Sequence, residues 1–427
     1  MILRDPVHGL IAFESEEDAI VLRLLPTREV QRTRRIRQLG LTSLAFPGAE
    51  HTRFAHAVGA AHVMRLLLER LRQVDRDLPF WQRVTSERAR DAIAAAFLHD
   101  IGHGPLSHLF EEAMPGAPRH ESWTERILLD PGSDVHRVLI ADDPYLPQRV
   151  ADLIRGKHPL PYLAKAVSGT FDVDRCDYLL RDAHATGVRY GEYDLPWLLR
   201  SLRFDESAQP GLAIDGTKGL APIEAFLLAR LFMFQQVYFH KSTRSAEWMI
   251  GVILRRALSL VRDGTRLPAL PAGLASAAAG DTPSLGEYLE LDDQVLLVAI
   301  HEWESASDPI LADLCKRLRA RALFKTIELF HERGGGYAIP PEEALAAARE
   351  IAAAAGLDPA VYVGLDVAED TPYADDDSLK VVFPKGRARQ PSEVSFLLDR
   401  LRDETVTRVR VIYAPELEDA MREALIR

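Results

Sequence analysis

The stretch that most limits what this chain can become is "FLHDIGHGPLSH", residues 97–108. The alanine-rich run "SERARDAIAAAF" leads into it, with Ser86 placed to cap a helix whose middle the alanines favour. Gly102, Gly104 and Pro105 then stop that helix. His99 and Asp100 are thereby fixed at the C-terminal end of a helix apolar enough to be buried. A buried carboxylate needs compensation, and an adjacent imidazole makes a cation the natural partner. The spacing His99-Asp100-x-x-His103 invites comparison with the zinc-protease helix H-E-x-x-H. Two features oppose that chemistry: the shorter Asp stands where the catalytic Glu should be, and Gly102 disrupts the turn that would align both histidines.

Charge narrows the function classes. The chain has 52 basic and 63 acidic residues for a net charge of −11, which argues against a whole-surface nucleic-acid or membrane binder. A local basic pocket stays open. Two cysteines, Cys176 and Cys315, cannot form a disulfide framework. With no signal-peptide pattern in "MILRDPVHGL", they point to a cytoplasmic protein. Apolar runs such as "AIAAAF" and "QVLLVAI" are too short to span a bilayer.

Along the chain, "DPVHG" reads as a turn. A helical pattern over 19–39 is split by Pro26, with Thr27 as N-cap of its second piece. That piece, "TREVQRTRRIRQLG", carries five arginines that form either a solvated face or a shared phosphate-facing side. Further helices are expected over 52–74, 120–129, 147–155, 161–168 and 174–183, then a hairpin in "RSLRFDESAQPGLAIDG" and a long helix from "APIEAFLLARLF". The Gly-, Pro- and Ala-rich residues 264–286 read as a loop or linker between a mainly helical domain, 1–263, and an α+β lobe, 287–427. In that lobe "LKVVF" and "RVRVIY" read as strands.

Seven segments occur in a telling order: "DPVHG", "QLG", "FPGAEHTRFAHAVG", "HDIGHGPLSHLFE", "RHESW", "DVDRCDYLLRDAHATGV" and "ARLFMFQQVYFHK". Together they resemble the HD-domain dNTP triphosphohydrolases, a family with an animal enzyme bearing SAM and HD domains and with bacterial dGTPase-like members. The resemblance covers residues 5–255 and continues weakly through the C-terminal lobe. It implies a mainly α, HD-domain phosphohydrolase core in which His56, His99, Asp100 and Asp174 hold one divalent ion: Fe, Mn, Zn, Ni or Mg.

The same resemblance assigns roles to other positions. Arg53, Arg175, Arg230 and Lys241 would face the phosphates, with Arg175 standing where the animal enzyme has Lys. His108 would be the general acid or in-line group at the leaving 5′-oxygen, supported by His103, His120 and Glu121. Gln38, Leu39, Tyr178, Asp182 and Tyr238 would line the sugar pocket: Gln38 and Asp182 bonding the 3′-hydroxyl, Tyr238 and Leu39 crowding the 2′ position. Gln31 and Arg34 match contacts to an effector nucleotide. Pro26 replaces the acid that reads guanine there, and Leu10 replaces a histidine, so guanine activation of the familiar type is not expected. The implied activity is hydrolysis of a dNTP to a deoxynucleoside and inorganic triphosphate by a homodimer or larger assembly. A phosphohydrolase for another nucleotide or a single-stranded nucleic-acid end, and a nucleotide sensor without turnover, are the competing readings.

Overall fold

The computed structural model describes residues 1–107, 110–111, 118–205, 207–330, 336–375, 379–385 and 387–426. The "DPVHG" turn closes an antiparallel hairpin, β1 (Ile2–Asp5) with β2 (Gly9–Ala12). Asp5 Oδ1 accepts from the backbone N–H groups of Val7 and His8, both at 2.9 Å, which pins the turn. Its Gly9 has φ +73°, a conformation that costs glycine nothing.

Three helices make the frame of the site. The Arg53–Val74 helix is capped by Thr52, the Ser86–Leu98 helix by Thr85 and the Val173–Thr186 helix by Asp172. Thr85, not Ser86, is the cap because its backbone is the extended one, and its hydroxyl accepts from Arg88 N–H. The 53–74 helix packs against both others, and its Ala57, Ala60, Ala61 and Met64 are buried. It comes close to the 173–186 helix at Gly59. A Cβ on Gly59 would lie 1.9 Å from Asp177 Oδ1 and 2.3 Å from Arg181 Nη2. Gly59→Ala is therefore expected to destabilise the protein by about 1–3 kcal/mol, although alanine is the better helix former. A thermal melt reports it, and an unchanged Tm would mean that the crossing yields freely.

The long helix expected after residue 220 is interrupted. Leu220–Met233 is α-helical, Phe234–Tyr238 winds as a π-helix, and a new helix, Lys241–Arg262, starts beyond His240. The His240 imidazole accepts from Ser242 N–H and so caps the second helix. Wide π turns cluster at functional sites, and this one carries Tyr238. Leu220–Tyr238 is long and apolar enough to cross a membrane by length and composition, with a mean hydropathy of 1.3. Ile223, Phe226, Leu227 and Met233 on it are buried in the core, and Arg230 pairs with Asp370 at 2.9 Å.

Residues 264–286 are more ordered than a linker. Ala272–Ala278 is a helix, and a Ser284–Glu287 capping box starts the next one. Leu267, Leu274 and Ala278 join the core, which is why the segment packs. The C-terminal part adds an antiparallel sheet, β5 (Lys325–Leu329), β8 (Val406–Tyr413) and β6 (Val363–Asp370), with β8 central. β7 (Lys380–Val382) leaves that sheet and pairs in parallel with β4 (Leu212–Asp215), whose other neighbour is β3 (Leu202–Phe204), the expected hairpin partner. The lobe is thus stitched into the helical part.

The five-arginine segment does not form one phosphate-facing side. Buried Arg32 donates to the carbonyl of Leu291 at 2.8 Å, Arg35 pairs with Asp292 at 2.5 Å, and Arg37 pairs with Glu50 at 2.6 Å. These contacts fasten the segment to residues around it, largely to 291–293.

Candidate active site

Four parts of the sequence converge where the three frame helices meet. His56 lies one turn into the 53–74 helix, His99 and Asp100 follow the end of the 86–98 helix, and Asp174 sits in the first turn of the 173–186 helix. Asp174 Oδ1 is 3.0 Å from His56 Nε2 and 3.4 Å from His99 Nε2, and the two Nε2 atoms are 3.3 Å apart. Asp100 Oδ1 is 3.5 Å from His99 Nε2, and Asp100 Oδ2 is 3.8 Å from His56 Nε2. Asp100 is turned by a contact between its Oδ2 and the Arg53 guanidinium.

The donor set fits a divalent cation. His99 Nδ1 lies 2.9 Å from the Ala96 carbonyl, and His56 Nδ1 lies 2.8 Å from Asp177 Oδ2. Both partners only accept, so each ring donates from Nδ1 and turns its Nε2 into the cluster, where a cation would take the place of any proton. The cluster calls for positive charge at this point. Burial lowers the proton affinity of His56, yet hydrogen bonds to Asp174 and Asp177 outweigh it and hold the ring's pKa up to about 10.

Behind His56 stands a buried carboxylate, Asp177. Its Oδ1 accepts from His8 Nε2 at 2.6 Å and its Oδ2 from His56 Nδ1, while Arg181 donates Nε and Nη2 to it at 2.8 Å each. Arg181 also reaches Asp5 at 2.7 Å. Burial pushes the Asp177 carboxyl up, but Arg181 beside it and the hydrogen bonds from His56 and His8 hold it well below the usual range. Asp177 therefore stays ionised and fixes the tautomer of His56. The signal for it was in plain view, three residues after Asp174 and four before Arg181 on one helix face.

A second cluster brings Asp100, His103 and His120 together. The His103 and His120 rings stack at 3.8 Å, and His120 Nδ1 lies 2.8 Å from Glu111 Oε1. Glu121 points outward, its side chain 62% exposed, with Oε2 3.5 Å from His120 Nδ1. His108 lies outside the described residues. The two residues before it, Leu106 and Ser107, take left-handed φ values of 55° and 60°. They are held there by Asp293 Oδ1, which accepts from Leu106 N–H at 2.7 Å, and by the Ser107 hydroxyl, which donates to the Arg37 carbonyl at 3.1 Å. Non-glycine residues persist in that region only where surroundings over-determine them, commonly at active sites.

Beside the cluster lies a cavity of about 530 Å³ whose walls include Gln38, Leu39, Arg53, Tyr178, Asp182 and Tyr238. Tyr238 Oη donates to Asp182 Oδ2 at 2.8 Å, and His51 Nε2 lies 2.7 Å from Asp182 Oδ1. Gln38 Oε1 is buried without a hydrogen-bond partner among the described residues. His51 was not anticipated; it comes from the "FPGAEH" turn, where a lone histidine carries no periodic signal. Nor were Arg244, Glu247 and Glu369, which also line this cavity, Glu369 reaching it from β6.

Three expected phosphate contacts are not among the residues lining this cavity, although Arg175 adjoins Tyr178 and Arg230 lies over Phe234, both in its wall. Arg230 donates to the carbonyls of Thr371 and Pro372 and to Asp370, so the C-terminal lobe occupies it. Arg175 contacts the Gly169 carbonyl and Asp172, closing the start of its own helix. Lys241 is exposed at the first turn of its helix. In the expected effector region, Gln31 donates to the Leu25 carbonyl at 2.7 Å, and Arg34 donates to Gln31 at 3.0 Å while lying over the Phe54 ring.

Comparison with known proteins agrees with this geometry. The HD domain family matches residues 53–182, and the HD associated region matches residues 272–426. The uncharacterized protein YwfO of Bacillus subtilis is 36% identical over 375 residues, 87% of this chain and 80% of its own length. The SAMHD1 homologue of Dictyostelium discoideum, a deoxynucleoside triphosphate triphosphohydrolase, is 27% identical over 350 residues, 77% of this chain but 60% of that longer protein. The crystal structure of a phosphohydrolase from Bacteroides thetaiotaomicron superposes with a TM-score of 0.81 at 27% identity, covering 97% of this chain and 99% of that one. The mainly helical fold expected from the motifs stands. The chain belongs to the HD-domain phosphohydrolase family, in the group that contains the dNTP triphosphohydrolases.

Proposed function

We propose that this phosphohydrolase cleaves deoxynucleoside triphosphates at the α-phosphorus, releasing a deoxynucleoside and inorganic triphosphate. One observation carries the reading: Arg53 belongs to both parts of the site, touching the candidate metal ligand Asp100 and lining the cavity that ends at Asp182 and Tyr238. A phosphate held at Arg53 thus leaves a sugar among Gln38, Tyr178, Asp182 and Tyr238. His56, His99 and Asp174, with Asp100 adjoining, would hold the divalent ion. Such an ion supplies a nucleophile at neutral pH by making water more acidic, and it offsets phosphate charge.

The chain's own groups do the rest. Arg53, 3% exposed, offers a fixed guanidinium whose Nε is tied to Ser107 Oγ at 3.0 Å, so phosphate binding costs little reordering. The Gln38 amide, with its buried oxygen unpartnered, suits the 3′-hydroxyl. Asp182 is oriented from two sides by Tyr238 and His51 and keeps lone pairs for the same hydroxyl. Leu39 and Tyr238 narrow the space at the 2′ carbon. His108, from the family motif, is the group proposed to protonate the leaving 5′-oxygen.

The deciding experiment incubates the protein with individual dNTPs and NTPs and several divalent metals, then identifies products. Inorganic triphosphate with a deoxynucleoside is the expected result; monophosphate with pyrophosphate, or binding without turnover, would reject it. Tyr238→Ala opens the 2′ side and is expected to lower the dNTP-over-NTP preference in kcat/KM by about tenfold or more. An unchanged ratio would remove Tyr238 from the discrimination.

A further inference from the structure

A cavity of about 720 Å³, distinct from the one beside the metal ligands, opens between the β1–β2 turn, the 53–74 helix and residues 180–200. Its volume suits a small organic molecule. Leu66, Leu180, Leu195 and Leu199 give it an apolar wall. Set in its lining is His62, 7% exposed. Arg65 Nη2 donates to His62 Nδ1 at 3.3 Å, which leaves the ring proton on Nε2. Burial, with His8 and Arg65 close by, pulls the pKa of His62 down to about 4, so the ring is neutral. Its Nε2–H is then a fixed donor with no partner among the described residues.

Elsewhere in the lining, Arg70 and Arg200 both donate to one acceptor, Gln73 Oε1, each at 3.3 Å. Arg70 also donates to the Leu202 carbonyl at 3.0 Å, so the two guanidiniums hydrogen-bond neutral oxygens and neither forms a direct ion pair among the described residues. Arg203 adds a third positive group, and Asp215, at 3.0 Å from it, is its counter-charge. Of the acids lining the cavity, Glu69 pairs with Arg65 at 2.6 Å and Glu192 stands exposed. His8, in the same lining, holds Asp177 Oδ1, while His56 holds Asp177 Oδ2.

We infer that this cavity binds a small amphipathic organic anion, its body against the leucines and its acid group between Arg70 and Arg200, and that occupancy is coupled to the metal centre through His8, Asp177 and His56. Coupling of this kind is reciprocal: whatever the anion does to metal affinity, the metal does to anion affinity.

The probe is 8-anilinonaphthalene-1-sulfonate, titrated by fluorescence into the full chain with and without Mn²⁺. The expected result is one saturable site whose affinity falls about tenfold or more in Arg70→Gln/Arg200→Gln. N-phenyl-1-naphthylamine, the same rings without the sulfonate, should not distinguish the double variant from the parent. Arg200 is exposed and Arg70 half-buried, and an unchanged melting temperature will show that the double variant keeps its fold. Mn²⁺ should shift the sulfonate's affinity about fivefold or more in the parent and much less in His8→Ala. Non-saturating fluorescence, or equal affinity in the double variant, would overturn the site; equal affinity with and without Mn²⁺ in the parent would overturn the coupling.

Discussion

His56→Ala is expected to lose divalent-metal binding and to lower turnover by about a thousandfold or more, while the protein remains folded. The ring supplies an Nε2 within 3.0 Å of Asp174 Oδ1 and 3.3 Å of His99 Nε2, so its removal opens one side of the cluster. Several kcal/mol of transition-state stabilisation depend on the ion, and each 1.4 kcal/mol is tenfold in rate. Metal content by elemental analysis and turnover should fall together. Asp174→Ala should behave alike, and chelation followed by metal add-back should restore the parent but neither variant. Full turnover by metal-free His56→Ala would reject the assignment of the cluster as the reaction centre.

The frame of the site was legible because it rests on local signals. The "DPVHG" turn, the alanine-rich helix and its glycine stop are propensity effects, and they place His99 and Asp100 before any tertiary contact is known. What escaped were effects of packing. The π turn at Phe234–Tyr238 leaves no periodic mark, since each residue there would also suit an α-helix. Residues 264–286 have a linker's composition but supply four core side chains, Leu267, Leu274, Ala278 and Leu285, and burial overrides composition. β6 contributes Glu369 to the cavity beside residues more than a hundred positions earlier, a contact only topology creates. Arg230 lies in a motif associated with phosphate, and only topology brings Asp370 and two carbonyls of the C-terminal part to it, while its buried Nε keeps no partner among the described residues.

The second large effect is expected at Asp177, which is not among the described residues lining the proposed substrate cavity. Asp177→Ala should cost about 3–5 kcal/mol of stability, because it strips a buried Arg181 of its main partner and leaves His8 and His56 without their acceptor. Asp177→Asn separates structure from metal chemistry. The amide keeps the volume and one acceptor oxygen, so much of the fold survives, but it cannot accept from His56, His8 and both Arg181 nitrogens at once. His56 then loses the group that fixes its proton on Nδ1, and metal affinity should fall about 10–100-fold. Urea unfolding and Mn²⁺ titration read the two quantities on the same samples. If Asp177→Asn lost stability but bound Mn²⁺ like the parent, the carboxylate would be a packing element alone. A loss of metal affinity that persists after stability is restored by a remote substitution would establish it as the group that orients His56.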